Sequence, residues 1–144
     1  MIQIKNRYNG NVIKEVESLS TGNLSNSDLS YSDLSYSNLS YINLRGSNLR
    51  DSDLSNSNLN YSDLRGSDLS CVIGNGIEIK SLQIGTYMVS YHKDILSIGC
   101  QTHTLDKWIN FTDEEIDAMD RDTALDWWKL NKDILVTLVK REIQ

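Results

Sequence analysis

From Leu19 to Leu69 a leucine stands at every fifth position, without a break. A period of five fits neither the 3.6 of a helix nor the 2.0 of a strand, so no ordinary helix or sheet gathers these side chains on one face. Fixed-period self-similarity marks a solenoid, in which each unit buries its apolar residue by stacking on its neighbours. The residue before nearly every leucine is Asp or Asn: Asn23, Asp28, Asp33, Asn38, Asn43, Asn48, Asp53, Asn58, Asp63 and Asp68. Two residues before it stands a small one, usually Ser, as at Ser27, Ser32, Ser47 and Ser67.

Four pentapeptides per square coil would stack residues twenty apart, with columns such as Leu24/Leu44/Leu64 and Leu29/Leu49/Leu69 on the axis. The small residues also point inward, because a narrow axis cannot hold two large side chains per side. Ile42 stands where Ser is the rule, and a local bulge is expected there. Asp and Asn suit the corners, where their side chains can bond nearby backbone amides. Successive coils would lie ~4.8 Å apart.

The register resembles that of the pentapeptide-repeat family, whose unit is Ala-(Asp/Asn)-Leu-x-x. The stretch "NLSNSDLSYSDLSYSNLSYINLRGSNLRDSDLSNSNLNYSDLRGSDLS" carries the likeness, with Ser in place of most of the family's Ala. The resemblance implies a right-handed quadrilateral β-helix. A disordered Ser-rich linker would have no reason to keep a strict leucine period.

Three regions follow: an N-terminal β-hairpin cap (1–18), the β-helix (19–72) and a C-terminal α+β module (73–144). In the first, Ile2-Gln3-Ile4-Lys5 and Val12-Ile13-Lys14-Glu15-Val16 flank Asn9-Gly10, a hairpin signal. A solenoid end exposes unpaired backbone and apolar side chains, so it needs such a cover. "IQIKNRYNGNVI" also resembles the start of many phage and bacterial pentapeptide-repeat proteins, although the link is too short for the helix they often insert. Gly74-Asn75-Gly76 marks the far boundary. Strand-like pieces Ile77–Ile84, Thr86–His92 and Ile95–Gln101 come next, with a hairpin turn at Lys93-Asp94. Thr104 suits the cap of a short helix over Leu105–Asn110. Thr112 and Glu115 fit a capping box for a helix over about 113–119. Asp122 or Thr123 starts the longest helix, to about Arg141. Its expected buried face comprises Ala124, Trp127, Trp128, Ile134, Leu135 and Leu138. "IEIKSLQIGTY", "IGCQTHTLDKW" and "IDAMD" with "ALDWW" make this region resemble a module found behind pentapeptide repeats in phage and prophage proteins.

The formal net charge of −6 argues against direct nucleic-acid binding, which needs a basic face. No apolar run approaches the ~20 residues of a membrane span. The start lacks a secretion pattern, so a cytoplasmic location is expected. Cys71 and Cys100 make no disulfide framework. Cys100 and His103, three apart, have the residue types of a nucleophile and its base; otherwise Cys100 is a small buried hydrophobe. Cys71 and His92 would complete a zinc quartet, but a hairpin with His92 at its turn holds Cys100 more than ~10 Å away. No catalytic, metal or cofactor role is therefore assigned.

Candidate contact residues lie elsewhere. Tyr41 stacks over Tyr61 in the twenty-residue register, with Arg45 and Arg65 nearby, and exposed Tyr and Arg are what interface hot spots use. Residues 113–126 hold seven acids against Arg121, a local charge of −6, whereas residues 19–70 hold six Asp against three Arg, or −3. Asp113, Glu114, Asp117 and Asp120 form the core of the acidic patch, which would steer a basic partner; helix-dipole preference alone also places acids there. His103 and Trp108 complete the set. The leading expectation is a non-enzymatic protein-binding scaffold, phage- or prophage-encoded, that inhibits or modulates a host defence or DNA-processing protein. Its partner would be a host protein met through the acidic helix start and the tryptophans Trp108, Trp127 and Trp128, or through the tyrosine face. An alternative is a DNA mimic acting on gyrase or another topoisomerase, a role some pentapeptide-repeat proteins have. Eleven pentapeptides make a rod on the order of 13 Å long, equal to about four base pairs at ~3.4 Å each. A small Cys/His-dependent enzyme is the third reading. A stack with an imperfectly covered end also allows pairing with its twin in a homodimer.

Overall fold

The computed structural model describes residues 1–144. Its strands are β1 (Ile2–Asn6), β2 (Val12–Val16), β3 (Ser32–Asp33), β4 (Lys80–Ile84), β5 (Tyr87–His92), β6 (Ile95–Ile98) and β7 (Gln101–Thr104). Its helices are α1 (Leu105–Asn110), α2 (Asp113–Asp117) and α3 (Ala124–Ile143). Two open antiparallel sheets form, in the orders β2-β1-β3 and β4-β5-β6-β7. No helix is long and apolar enough to cross a membrane.

Between the sheets the chain winds as a β-helix-like solenoid whose walls are single-residue parallel bridges. Asn23 pairs with Asn43 and Asn43 with Asp63; Asp28, Asn48 and Asp68 form a second ladder, and Asp33, Asp53 and Ile73 a third. Partners are twenty residues apart, so four pentapeptides complete one coil. Each rung is closed by main-chain bonds such as Leu24 N–H to Asn43 O (2.8 Å) and Asn43 N–H to Gly22 O (2.9 Å). The leucines from Leu24 to Leu69 fill the axis, fully buried through its middle.

The corners differ from the sequence reading. Asp and Asn stand on the ladders, in mid-wall. From there each side-chain Oδ1 accepts the N–H of the residue two further on, as in Asn23 with Ser25 and Asp28 with Ser30. The corner itself falls two residues after each leucine, at a left-handed residue: Asn26, Tyr31, Tyr36, Tyr41, Asp51, Asn56, Tyr61, with Gly46 and Gly66 in the same series. A turn bond such as Ser27 N–H to Leu24 O closes around it, so the left-handed residue is third in a β-turn, as type II geometry requires. Most inward serines are satisfied locally, as Ser47, Ser52 and Ser57 donate to the carbonyls of Leu44, Leu49 and Leu54; the buried Ser32 hydroxyl has no partner.

No bulge forms at Ile42. It is fully buried, yet its N–H reaches Leu39 O and its O receives Asp63 N–H, as at the serine positions. In the twenty-residue register its neighbours are Gly22 and Ser62, and these small residues leave room for the larger side chain.

Both ends of the coil are covered. At the N-terminal end, β1 pairs antiparallel with β2 and, through Lys5 and Asn6, with β3 on the coil wall. Ile4 drops into the leucine core. At the other end the ladder continues to Ile73, and Gly74 occupies the next leucine position. Ile79 fills the gap and joins the same core; a Cβ on Gly74 would collide with the backbone carbonyl of Ile79.

The four-stranded sheet then lies across this end with two unlike faces. Ser81 and Ser90 donate to the carbonyls of Val72 and Leu69, satisfying the last coil. Val89, Tyr91, Leu96 and Ile98 point the other way, into a second core with Trp108, Trp128, Leu135 and Val139. The hairpin turn at Lys93-Asp94, the Thr104 cap and the Thr112/Glu115 capping box form as expected. The strand expected over Ile95–Gln101 ends at Ile98, because Gly99 takes a left-handed turn that folds Gln101–Thr104 back onto β6 as a fourth strand, β7. On α3, Ile134 is 57% exposed and Val139 takes a core position instead.

Candidate functional site

The helices do not close completely over the sheet. A cavity of about 290 Å³ remains between the start of β5, the β6–β7 turn, α1, the stretch after α2 and the first turns of α3. Its walls are mainly carbon, from Tyr87, Trp108, Trp127, Trp128 and Met119, with Asp120 contributing a carboxylate. This is near the lower end of the size range for small-ligand pockets, and the mix of aromatic lining with few polar groups is typical of them.

The adjacent tryptophans on α3 divide their roles because successive helical residues are about 100° apart. Trp128 enters the core, 5.4 Å from Trp108. Trp127 turns to the cavity side, where its indole N–H donates to Ile84 O at 2.8 Å. Its ring meets Tyr87 edge-on, at 5.1 Å and 85°. The Tyr87 hydroxyl donates to Asp120 Oδ2, which also accepts from the Thr123 hydroxyl. Burial, then the bond to Asp120, pushes the Tyr87 phenol above its ordinary value.

The residues singled out from the sequence fall in three places. Tyr41 and Tyr61 stack at 4.9 Å and 16° on one coil corner. Arg65 is committed to Asp63 through two nitrogens, which holds that carboxyl well below its usual range; Arg45 is exposed. Asp113, Glu114 and Asp117 are exposed on α2, with Asp113 paired to Lys129 at 2.8 Å. Asp120 is the one acid of that patch on the cavity. Trp108 is only 3% exposed and donates its indole N–H to Leu96 O, so it meets a ligand only through the cavity. His103 packs edge-on against Trp108 (5.3 Å) and Phe111 (5.0 Å).

Cys100 is exposed on the cavity rim instead of buried, because the β6–β7 turn carries it outward. The only side-chain hydrogen bond of His103 is to Gln101, at 3.4 Å, so the two do not form a bonded thiol–imidazole pair. Cys71 contacts Gly99 O, whereas His92 Nδ1 lies 2.8 Å from Glu78 O. No group of three or more His, Cys, Asp or Glu is placed to hold a metal ion. Tyr87 and Met119 carried no such signal in the sequence; the adjacent Trp127-Trp128 pair was the available one, since side chains about 100° apart on a helix meet different neighbours.

His92 yields a pH prediction. Burial holds its imidazole below the ordinary histidine value, and nearby Lys93 and Lys80 act the same way, against the Glu78 hydrogen bond. Burial and then Lys107 act likewise on His103. The unfolded chain takes up protons near 6.5 while the folded chain resists, so stability is full above that value and falls as pH drops below it. The urea midpoint is expected to decrease from about pH 7 to about pH 5. His92→Gln should flatten that slope, and an unchanged slope in the variant would remove His92 as its source.

The family model of pentapeptide repeats matches residues 32–70, as eight copies. Repeats of this kind are generally protein-binding scaffolds and generally non-enzymatic. No curated protein and no solved structure gives a significant match.

Proposed function

We propose that this protein is a non-enzymatic protein-binding scaffold, phage- or prophage-encoded, acting in the host cytoplasm on a host defence or DNA-processing protein. The observation that carries the scaffold reading is the filled axis: Leu29, Leu39, Leu44, Leu49 and Leu54 are fully buried, leaving no interior room for a substrate. A right-handed quadrilateral β-helix of this kind is a rigid mount. The module at its end presents the exposed acids Asp113, Glu114 and Asp117 on α2, and Asp120 on the wall of an aromatic cavity. Phage origin rests on the resemblance of the N-terminal and C-terminal segments alone. Charge steering toward a basic partner follows from the local concentration of acid.

The experiment is quantitative capture from host lysate with the immobilised protein. Combining Asp113→Lys, Glu114→Lys and Asp117→Lys should reduce recovery of the wild-type partner by about tenfold or more. Cys100→Ala should leave it unchanged. Capture that survives charge reversal would eliminate the acidic face; an activity abolished by Cys100→Ala with fold and capture intact would favour the enzyme reading. Inhibition or protection of gyrase in a supercoiling assay would move the assignment to a DNA mimic.

A further inference from the structure

We propose that the cavity of the C-terminal module binds an alkylammonium group, such as the free or methylated end of a lysine side chain. Aromatic faces attract such cations within about 6 Å through their quadrupole, and this cavity is lined by all three tryptophans of the chain together with Tyr87. Tyr87 and Trp127 meet at 85°, forming two perpendicular walls of a box. Their positions are pinned, Trp127 by its bond to Ile84 O and Tyr87 by its bonds to Asp120 and Thr123. The box therefore needs little reorganisation on binding.

The carboxylate decides the ligand's charge. Both hydroxyls bond to Asp120 Oδ2, leaving Oδ1 without a hydrogen-bond partner. Asp120 also has no salt bridge; the four that form are Arg50–Asp51, Arg65–Asp63, Lys80–Glu142 and Lys129–Asp113. An unpaired anion on an aromatic wall, within a stretch of charge −6, favours a cation and repels anions. A neutral apolar ligand would fill the same volume but gain nothing from that oxygen.

That the cation belongs to a protein rests on the scaffold reading; the cavity's preference for a cation does not. The two are separated by titrating the full chain and following the three indole N–H signals by NMR. Choline and 3,3-dimethyl-1-butanol are the first pair of probes, equal in shape and different in charge. Choline should shift the Trp127 signal and saturate on the order of 1 mM. The alcohol should bind about tenfold more weakly. Asp120→Asn, an exposed change, should weaken choline about fivefold and leave the alcohol unaffected. Equal binding of the two probes, or no shift with choline, overturns the proposal. Capped trimethyl-lysine binding as well as choline supports a protein source. Choline binding with the capped amino acid excluded keeps the cation site and overturns the protein source. Neither result depends on whether a partner is captured from lysate.

Discussion

Replacing Leu49 by Ala is expected to destabilise the coil by about 3–5 kcal/mol, the upper part of the range for buried leucines. Leu49 is fully buried, between Leu29 and Leu69 in its column. The loss has two parts: the transfer energy of the deleted carbons and the cavity left behind. The second is large here because the walls are tied rung to rung, as by Leu49 N–H to Asp68 O at 2.9 Å, and cannot collapse inward. Leu130→Ala is the comparison: that leucine is 84% exposed on α3, and its replacement should change stability by no more than about 0.5 kcal/mol. Urea denaturation followed by far-UV circular dichroism measures both. A Leu49→Ala loss below about 1 kcal/mol would mean that the axis is not a packed core.

Trp128→Ala should cost the C-terminal module about 3–5 kcal/mol. The indole is buried between Trp108 on α1 and the sheet, and no neighbouring side chain can refill the space without moving a helix. The two cores share no apolar residue; what joins them is largely polar, such as Ser90 to Leu69 O and Ser81 to Val72 O. The module should therefore unfold ahead of the coil in this variant. The remaining tryptophans, Trp108 and Trp127, both lie in the module and none lies in the coil. Their emission should change at lower urea than the far-UV signal. Coincident transitions would show instead that the polar contacts bind coil and module into one cooperative unit.

Other elements were legible to different depths. The hairpin at Asn9-Gly10 and the Thr104 and Thr112 caps could be read directly, since each depends on residues a few positions apart. The left-handed corners were legible in part: Gly46, Gly66, Asn26 and Asn56 share one position of the repeat, and all tolerate positive φ. Four tyrosines at the same position obscured the pattern. A left-handed residue with a Cβ costs roughly 1–2 kcal/mol, offset by bonds such as Tyr41 N–H to Asn60 O and by the Tyr41–Tyr61 stack. Ile42 shows the opposite failure. Within its own pentapeptide it looks too large, and only the residues twenty away, Gly22 and Ser62, show that it fits.

The coil was determined by sequence alone because a five-residue rule repeated from Leu19 to Leu69 states the same local geometry at every turn. The cavity was decided by tertiary structure. Tyr87, Cys100, Trp108, Asp120 and Trp127 come from separate elements with no common period, and they converge only because a sheet with one serine face and one apolar face must cover the coil with the first and be covered by helices on the second.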